Sequence, residues 1–255
     1  MSVKGKLPIL LGFCFLISGI FLIWQSIIYE STILMFISLA VTFWGSLLLY
    51  VRPKRSTKSV LADAIATSSL ESLGNVLKSL DYNGKPVYLP PQSVKDSKSG
   101  RVFIPKEGNF VPPPVKLDEQ DTVSINPNGL YIIPPGAALV NLIEKELGKN
   151  FTKVSLNYLV SHLPKAFIED LEIAKKCEIS IEKDLVTAKL AGLMHDSLCR
   201  RLFETSSICS TIGCPFSSAI ACAITRSTGK SVVIEEAKFS KKGKIVQITY
   251  KLLGE

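Results

Sequence analysis

The chain has 255 residues, 47% of them hydrophobic and 20% charged, and a formal net charge of +8. Its positive excess is local: residues 1–58 carry six lysines and arginines against the single Glu30, a balance of +5 that leaves +3 for everything else. With no interleaved basic and aromatic stripe beyond that flank, nucleic acid is excluded as the expected partner.

Two apolar runs open the chain, Leu7 to Tyr29 and Thr32 to Val51, and neither contains a charge. Each has the length of ~20 residues that a helix rising ~1.5 Å per residue needs to cross a hydrocarbon layer of ~30 Å. The first run is longer than the apolar core of a secretory signal, and Trp24-Gln25-Ser26-Ile27 has no small-residue cleavage pattern. The expectation is a transmembrane hairpin over residues 1–58, with spans at about 7–29 and 32–51. Lys4 and Lys6 precede it, Arg52, Lys54, Arg55 and Lys58 follow it, and the turn between the spans has no lysine or arginine. Basic residues collect on the cytoplasmic side, so the N- and C-termini are both expected there, in a multi-pass protein of the cell membrane. The flank also suits anionic headgroups of the lipid bilayer. Trp24, Tyr29 and Tyr50 suit the interfacial level, Trp44 is expected to pack, and Gly12, Ser18, Gly19, Ser38, Gly45 and Ser46 are small enough for close helix approach.

Residues 59–84 read as an amphipathic linker helix, with Leu61, Ile65, Leu70, Leu73, Val76, Leu77 and Leu80 near helical spacing and an end near Asn83-Gly84. Such a helix docks on its own domain, pairs in a homodimer or lies on the membrane. Residues 85–135 form a proline-rich segment of short β-branched and aromatic pieces, among them Val87-Tyr88-Leu89, Arg101 to Ile104, Val123 to Ile125 and Leu130 to Ile133. Proline lacks an amide donor, so short edge strands are expected. Pro112-Pro113-Pro114 is either a stiff connector or a site for a protein partner.

Residues 136–255 read as an α+β domain. Helices are expected from Ala137 to Leu147, stopped by Gly148, and from Leu156 to Leu171, interrupted at Pro164. A hairpin follows from Cys177 to Glu182 and Leu185 to Leu190, then helices from Met194 to Phe203 and Pro215 to Ser227, then strands Ser231 to Ala237 and Ile245 to Leu252. The order of two helices and a hairpin thus occurs twice. The predicted fold class is α+β, an antiparallel sheet and helix sandwich after the hairpin.

The candidate chemistry lies between Met194 and Cys222. His195, Cys199, Cys209 and Cys214 include a residue pair four apart on a helix and a C-x4-C pair, a donor set for zinc. Pro215 favours the first helical turn and would put Cys214 at the N-cap, where the helix dipole and free amides promote a reactive thiolate. The plainer reading is that these cysteines are small buried packing groups, with no cofactor at all. Other catalytic templates fail, since the only histidines are His162 and His195 and no G-x-S-x-G or H-E-x-x-H occurs. Gly229 ends a helix rather than opening one, which removes a phosphate loop, and Glu235 and Glu236 are adjacent in a strand and expected on opposite faces. An enzyme is therefore not the leading expectation.

Cys214 to Ile224, followed by Thr228-Gly229-Lys230-Ser231-Val232-Val233-Ile234-Glu235-Glu236, resembles the closing helix and hairpin of the vinyl-reductase-type small-ligand-binding domains. The resemblance implies an α+β fold shared with a trafficking-complex subunit, and a small ligand as partner. That family carries a further cysteine on the hairpin, which Phe239 and Lys241 to Lys244 do not supply, so only Cys214 is carried over as a site residue. The chain as a whole resembles prokaryotic, including archaeal, two-span membrane families. The expected function is a membrane-anchored cytoplasmic sensory or protein-interaction module, and the alternative is a thiol- or zinc-dependent activity or redox sensing at Cys214.

Overall fold

A computed structural model describes residues 7–50, 57–95, 100–106, 108, 115–116, 123–194, 196–205, 212–240 and 245–254. It divides into two units, Met1–Val60 and Leu61–Glu255. The basic flank residues Lys4, Lys6 and 52–55, and the prolines at 112–114, lie outside the described residues.

The first unit pairs α1 (Leu7–Ile28) with α2 (Thr32–Tyr50). Glu30 turns the chain in a left-handed conformation, φ 49°. Glycine makes the contact possible: a Cβ on Gly19 would stand 2.3 Å from Thr42 Oγ1, and one on Gly45 would stand 2.8 Å from the Leu16 nitrogen. Gly12 lies against Leu49, so the helices run antiparallel. Ser38 is buried, but Ser18 and Ser46 face outward and donate to their own helix at Phe15 O and Phe43 O. Trp44 is 59% exposed, so the packing role expected for it falls to the glycines. Phe15, Ile17, Phe21, Ile33, Phe36 and Phe43 are also exposed, which leaves the outside of the pair apolar. Both helices are long and apolar enough to cross a membrane.

The second unit opens with most of α3 (Thr57–Ser79). Leu77 is buried, and Ala66, Leu70 and Leu73 pack on the core, so the amphipathic helix docks on its own domain. The strands are β1 (Val87–Leu89), β2 (Val94–Lys95), β3 (Arg101–Pro105), β4 (Val115–Lys116), β5 (Val123–Asn126), β6 (Gly129–Ile132), β7 (Lys176–Glu182), β8 (Leu185–Ala191), β9 (Val232–Ser240) and β10 (Ile245–Leu252). Eight of them form one antiparallel sheet in the order β5-β6-β3-β1-β9-β10-β8-β7, while β2 and β4 pair separately. The proline-rich segment is thus part of the main sheet. Its strands are short, as expected, yet β1, β3 and β6 are interior rather than edge strands. Proline permits this because Pro86 and Pro90 flank β1, Pro105 ends β3 and Pro134 lies beyond β6, so none breaks the middle of a ladder.

The helices are α4 (Ala137–Leu147), α5 (Leu156–Lys165), α6 (Asp196–Thr205) and α7 (Pro215–Thr228). Gly148 and Gly229 end α4 and α7 in left-handed conformations, φ 61° and 67°. Pro164 stands inside α5, and the five residues after the helix, Ala166–Asp170, form a π-type turn. On the helical side of the sheet Tyr88, Val102, Ile104, Val186, Ala188, Val246, Ile248 and Tyr250 build the main core. On the opposite face Val87, Leu89, Phe103, Tyr131 and Val233 form a second, smaller cluster.

Helix α7 is the centre of the unit. Every residue from Phe216 to Arg226 is buried. The helix touches β1 and β9 in the sheet and α4, α5 and the turn Phe151–Lys153 among the helices. Its small residues allow this crowding, and the tightest point is Gly136, the N-cap of α4, where a Cβ would fall 2.1 Å from the Ala219 backbone nitrogen. The Gly136 amide donates to Ser218 Oγ at 2.9 Å. At the other end Arg226, 3% exposed, is bound by Glu144 and by Asn141 Oδ1 at 2.8 Å.

Replacing Gly136 by alanine drives a methyl group into the α7 backbone, and overpacking of this kind costs about 3 kcal/mol or more. Gly229→Ala meets no neighbouring atom but keeps the left-handed φ, a cost of roughly 1–2 kcal/mol. Urea unfolding of the two variants should rank them in that order; equal midpoints would show that α4 does not bear on α7 at Gly136.

Candidate functional site

The best-formed site is the N-terminus of α7. Gly213, with φ 74°, turns the chain into the helix, and a side chain there would meet Ser217 Oγ at 2.6 Å and Ile234 Cδ1 at 2.9 Å. Cys214 is then the N-cap, with φ −76° and ψ 165°, and Pro215 follows at the first helical position. An N-cap accepts hydrogen bonds from helical amides that lack an internal partner. Here the acceptor is sulphur: Cys214 Sγ receives the Ser217 N–H at 3.5 Å and the Ser217 hydroxyl at 3.4 Å. The same hydroxyl lies 2.9 Å from Cys214 O, so its single proton is shared between the sulphur and that carbonyl.

Cys214 is 1% exposed and Cys199, from α6, is 0% exposed. The Cys199 thiol and the amide and hydroxyl donors at Ser217 and Phe216 outweigh burial and lower the Cys214 pKa from 9.0 to about 6. The other buried thiols behave oppositely. Burial pushes Cys222 up to about 12, and burial followed by the Glu178 charge pushes Cys177 up to about 12. Of these three only Cys214 has donors that outweigh its burial.

Two tyrosines enclose the site from the sheet. Tyr88 of β1 donates to Ile212 O, and Tyr250 of β10 donates to Ser217 O at 3.0 Å. Burial, and then the neighbouring Cys214, Tyr88, Cys177 and Cys222, raise the Tyr250 phenol well above its usual range. The Tyr250 phenol therefore remains a donor at neutral pH.

Of the expected zinc set His195, Cys199, Cys209 and Cys214, Cys199 and Cys214 are both buried, while His195 and Cys209 lie outside the described residues. Among the described residues no group of three or more histidines, cysteines or carboxylates is arranged to hold a metal. Tyr88, Tyr250 and Gly213 were absent from the expected site because only folding brings their strands and turn to α7. Ser217 had a visible signal, since it stands three residues after Cys214, the spacing of an N-cap and its N3 partner. His162 stacks on Tyr158 at 3.9 Å with its Nδ1 3.0 Å from Tyr158 O, a locally satisfied histidine.

An open groove of about 890 Å3 crosses the outer face of the sheet beside the Lys183-Asp184 turn. Glu235 and Glu236 both line it, contrary to the expectation of opposite faces. The cause is an irregularity in the ladder between Thr249 and Tyr250, where Thr249 opposes Glu236 and Tyr250 opposes Ile234, leaving Glu235 as an extra residue. Lysines already face these carboxylates, Lys85 at 3.0 Å from Glu235 and Lys238 at 2.7 Å from Glu236.

The chain matches the family model of a domain of unknown function, DUF7982, over residues 10–251. No curated protein and no solved structure matches it.

The thiol pKa values set a stability profile. Between about pH 6 and 9 the unfolded Cys214 binds a proton that the folded one does not, so its contribution is lost as pH falls through about 6 and is complete above 9. Cys222 and Cys177 have the opposite sign, contributing fully below 9 and losing it as pH rises toward 12. Wild type should therefore gain stability over Cys214→Ser from pH 6 to 9 in urea titrations; parallel curves for the two proteins would contradict the lowered thiol pKa.

Proposed function

This chain belongs to the DUF7982 family, a domain of unknown function that brings no activity with it, and we propose from its own residues a membrane-anchored sensory module whose responsive group is the Cys214 thiol. The observation that carries the proposal is the placement of an activated sulphur at the N-cap of the one helix on which the whole core rests. Chemistry at that sulphur changes what the first amides of α7 are bonded to. Tyr88 and Tyr250 then carry the change into β1 and β10, the strands on either side of β9. Cys214 is 1% exposed, so the site suits response better than turnover.

The anchor is the α1–α2 pair, and the basic flanks support a topology with both termini in the cytoplasm and the Glu30 turn outside. A bilayer is the first partner in this reading. The stimulus is a thiol-directed reactant or, as the likeness to vinyl-reductase-type domains implies, a small ligand. Its output passes to a protein partner or a second copy. A second reading, zinc held by thiolates, is favoured by the effect of the Cys199 thiol on Cys214, and metal analysis of the purified full chain decides it.

Two measurements test the module. With the native cysteines replaced, a cysteine introduced by Glu30→Cys should react with an impermeant maleimide on intact cells, whereas one at Glu255→Cys should react only after the membrane is opened. Reaction at residue 255 on intact cells would reverse the topology. In lipid nanodiscs, alkylation of Cys214 should speed amide exchange at Phe216 to Ser218 and in β1 and β10, and Cys214→Ser should show no response. Alkylation without any change in exchange would remove the sensory role.

A further inference from the structure

We propose that α3 pairs in parallel with α3 of a second copy, through a face that its docking leaves exposed, so that the module works as a dimer. The inference deepens the sensory reading by naming the partner, and it rests on that reading for one point, that both copies stand in one bilayer. Its basis is spacing. Ala62, Ile65, Ser69, Ser72, Val76 and Ser79 follow one another at intervals of three, four, three, four and three residues, and all six are exposed. That is the a and d alternation of a two-stranded coiled coil. Leu80 adds to the same side, its amide bonded to Val76 O at 3.0 Å. Ile65, Val76 and Leu80 are 60%, 53% and 55% exposed, an apolar surface that the domain's own packing does not use.

The docked face is a different one. Thr67, Gly74 and Leu77 are buried, and Ala66, Leu70 and Leu73 pack on the core. At 3.6 residues per turn that face is centred about 120° from the exposed seam. The outward side of an ordinary docked helix is charged. Here Asp63, Glu71 and Lys78 all lie off the seam, and no charge stands at its a and d positions or at the flanking e and g positions from 62 to 80. Two identical helices therefore meet there without repulsion between like charges. Ala62, Ser69, Ser72 and Ser79 are small enough for the backbones to come close, while Ile65 and Val76 fill the layers between them. The Ser69 hydroxyl donates to Ile65 O at 3.0 Å, so it enters the seam with its hydrogen bond already made.

The anchor selects both the occupant and its direction. Six residues separate Tyr50, the end of α2, from Thr57, the start of α3. Fully extended they span at most about 25 Å, so the N-terminal ends of two α3 helices are tethered to one membrane and the pair forms in parallel, Ile65 against Ile65 and Val76 against Val76. Confinement in that membrane also raises the effective concentration, which a short seam with four small residues requires. The lipid surface is the poorer occupant. A helix lying in the interface carries lysines and arginines beside its apolar face, whereas from residue 59 onward α3 has Lys78 against Asp63 and Glu71. Leu77 belongs to the same buried core as Cys214, so the seam and the thiol are parts of one packed body.

The test uses the full chain in proteoliposomes, with one cysteine added by Ile65→Cys, by Val76→Cys or by Lys78→Cys, the last well off the seam. Each is oxidised with copper phenanthroline and separated without reduction. Covalent dimers should form at residues 65 and 76 at least about tenfold faster than at residue 78 or in the unsubstituted chain, whose own cysteines give the background. Adding Val76→Glu to Ile65→Cys sets two carboxylates face to face and should cut the dimer yield about tenfold. Val76 is exposed, so each copy keeps its fold, and the single-cysteine comparison stands without this variant. No dimers at residues 65 and 76, or equal rates at all three positions, would overturn the pairing. In a mixture of Ile65→Cys and Leu80→Cys chains, a mixed bridge in excess of the bridge between two residues 65 would overturn the parallel direction. A bimane on Val76→Cys that is quenched by brominated lipid would give the face to the bilayer and likewise overturn the pairing. If dimers fail to form while alkylation of Cys214 still alters α7 exchange, the sensory reading survives. If dimers form and exchange is unmoved, that reading fails and the α3 pair stands.

Discussion

The burial of α7 on all sides is the constraint from which the domain follows. A helix surrounded by protein cannot pass its unpaired terminal amides and its polar side chains to water, so each needs a partner inside. At the C-terminal end Arg226 takes Glu144 and Asn141, and Gly229 folds back on Thr225 O at 2.9 Å. At the N-terminal end a sulphur accepts the amide, and the Ser217 hydroxyl completes the arrangement. The acidity of Cys214 is thus a consequence of packing: donors that need an acceptor are held against a group that gains charge by accepting. Cys222 lies within the same helix, its donors too weak to offset its burial, and its thiol moves the other way.

The same constraint explains the position of the tyrosines. Tyr88 stands opposite Val232 in β9, while Tyr250, across β9, stands opposite Ile234. Both phenols reach up from the sheet floor to carbonyls at the entry of α7, one on Ile212 and one on Ser217. Because β1 is the three-residue bridge between the two halves of the sheet, the site is bonded to the strand that holds those halves together. A group that altered the α7 entry would therefore act on the sheet through two defined hydrogen bonds rather than through diffuse contact.

The α1–α2 unit packs by a different rule. Close backbone approach joins the two helices, and Gly12, Gly19 and Gly45 provide it while the large apolar side chains turn outward. Ser18 and Ser46 bond to their own helices instead, which a list of small residues does not reveal. Trp44 faces outward for the same reason, since the space between the helices is too narrow for an indole.

Local pattern was enough for much of this protein. Two uncharged runs of membrane length, glycine stops after α4 and α7, the alternation of β7, β8 and β10, the docked face of α3 and the Cys-Pro entry to α7 are all set by residues within a few positions of one another, where spacing and steric preference act directly. Everything that depends on distant residues was decided by the tertiary structure. Short strands bounded by proline became interior strands because β9 and β6 supplied partners from elsewhere in the chain. Glu235 and Glu236 came to one face because the ladder with β10 shifts by a residue beside them. The site itself arose the same way: the Cys-x-x-Ser cap is local, but the reach of Tyr88 and Tyr250 follows from how β1 and β10 pack around one buried helix.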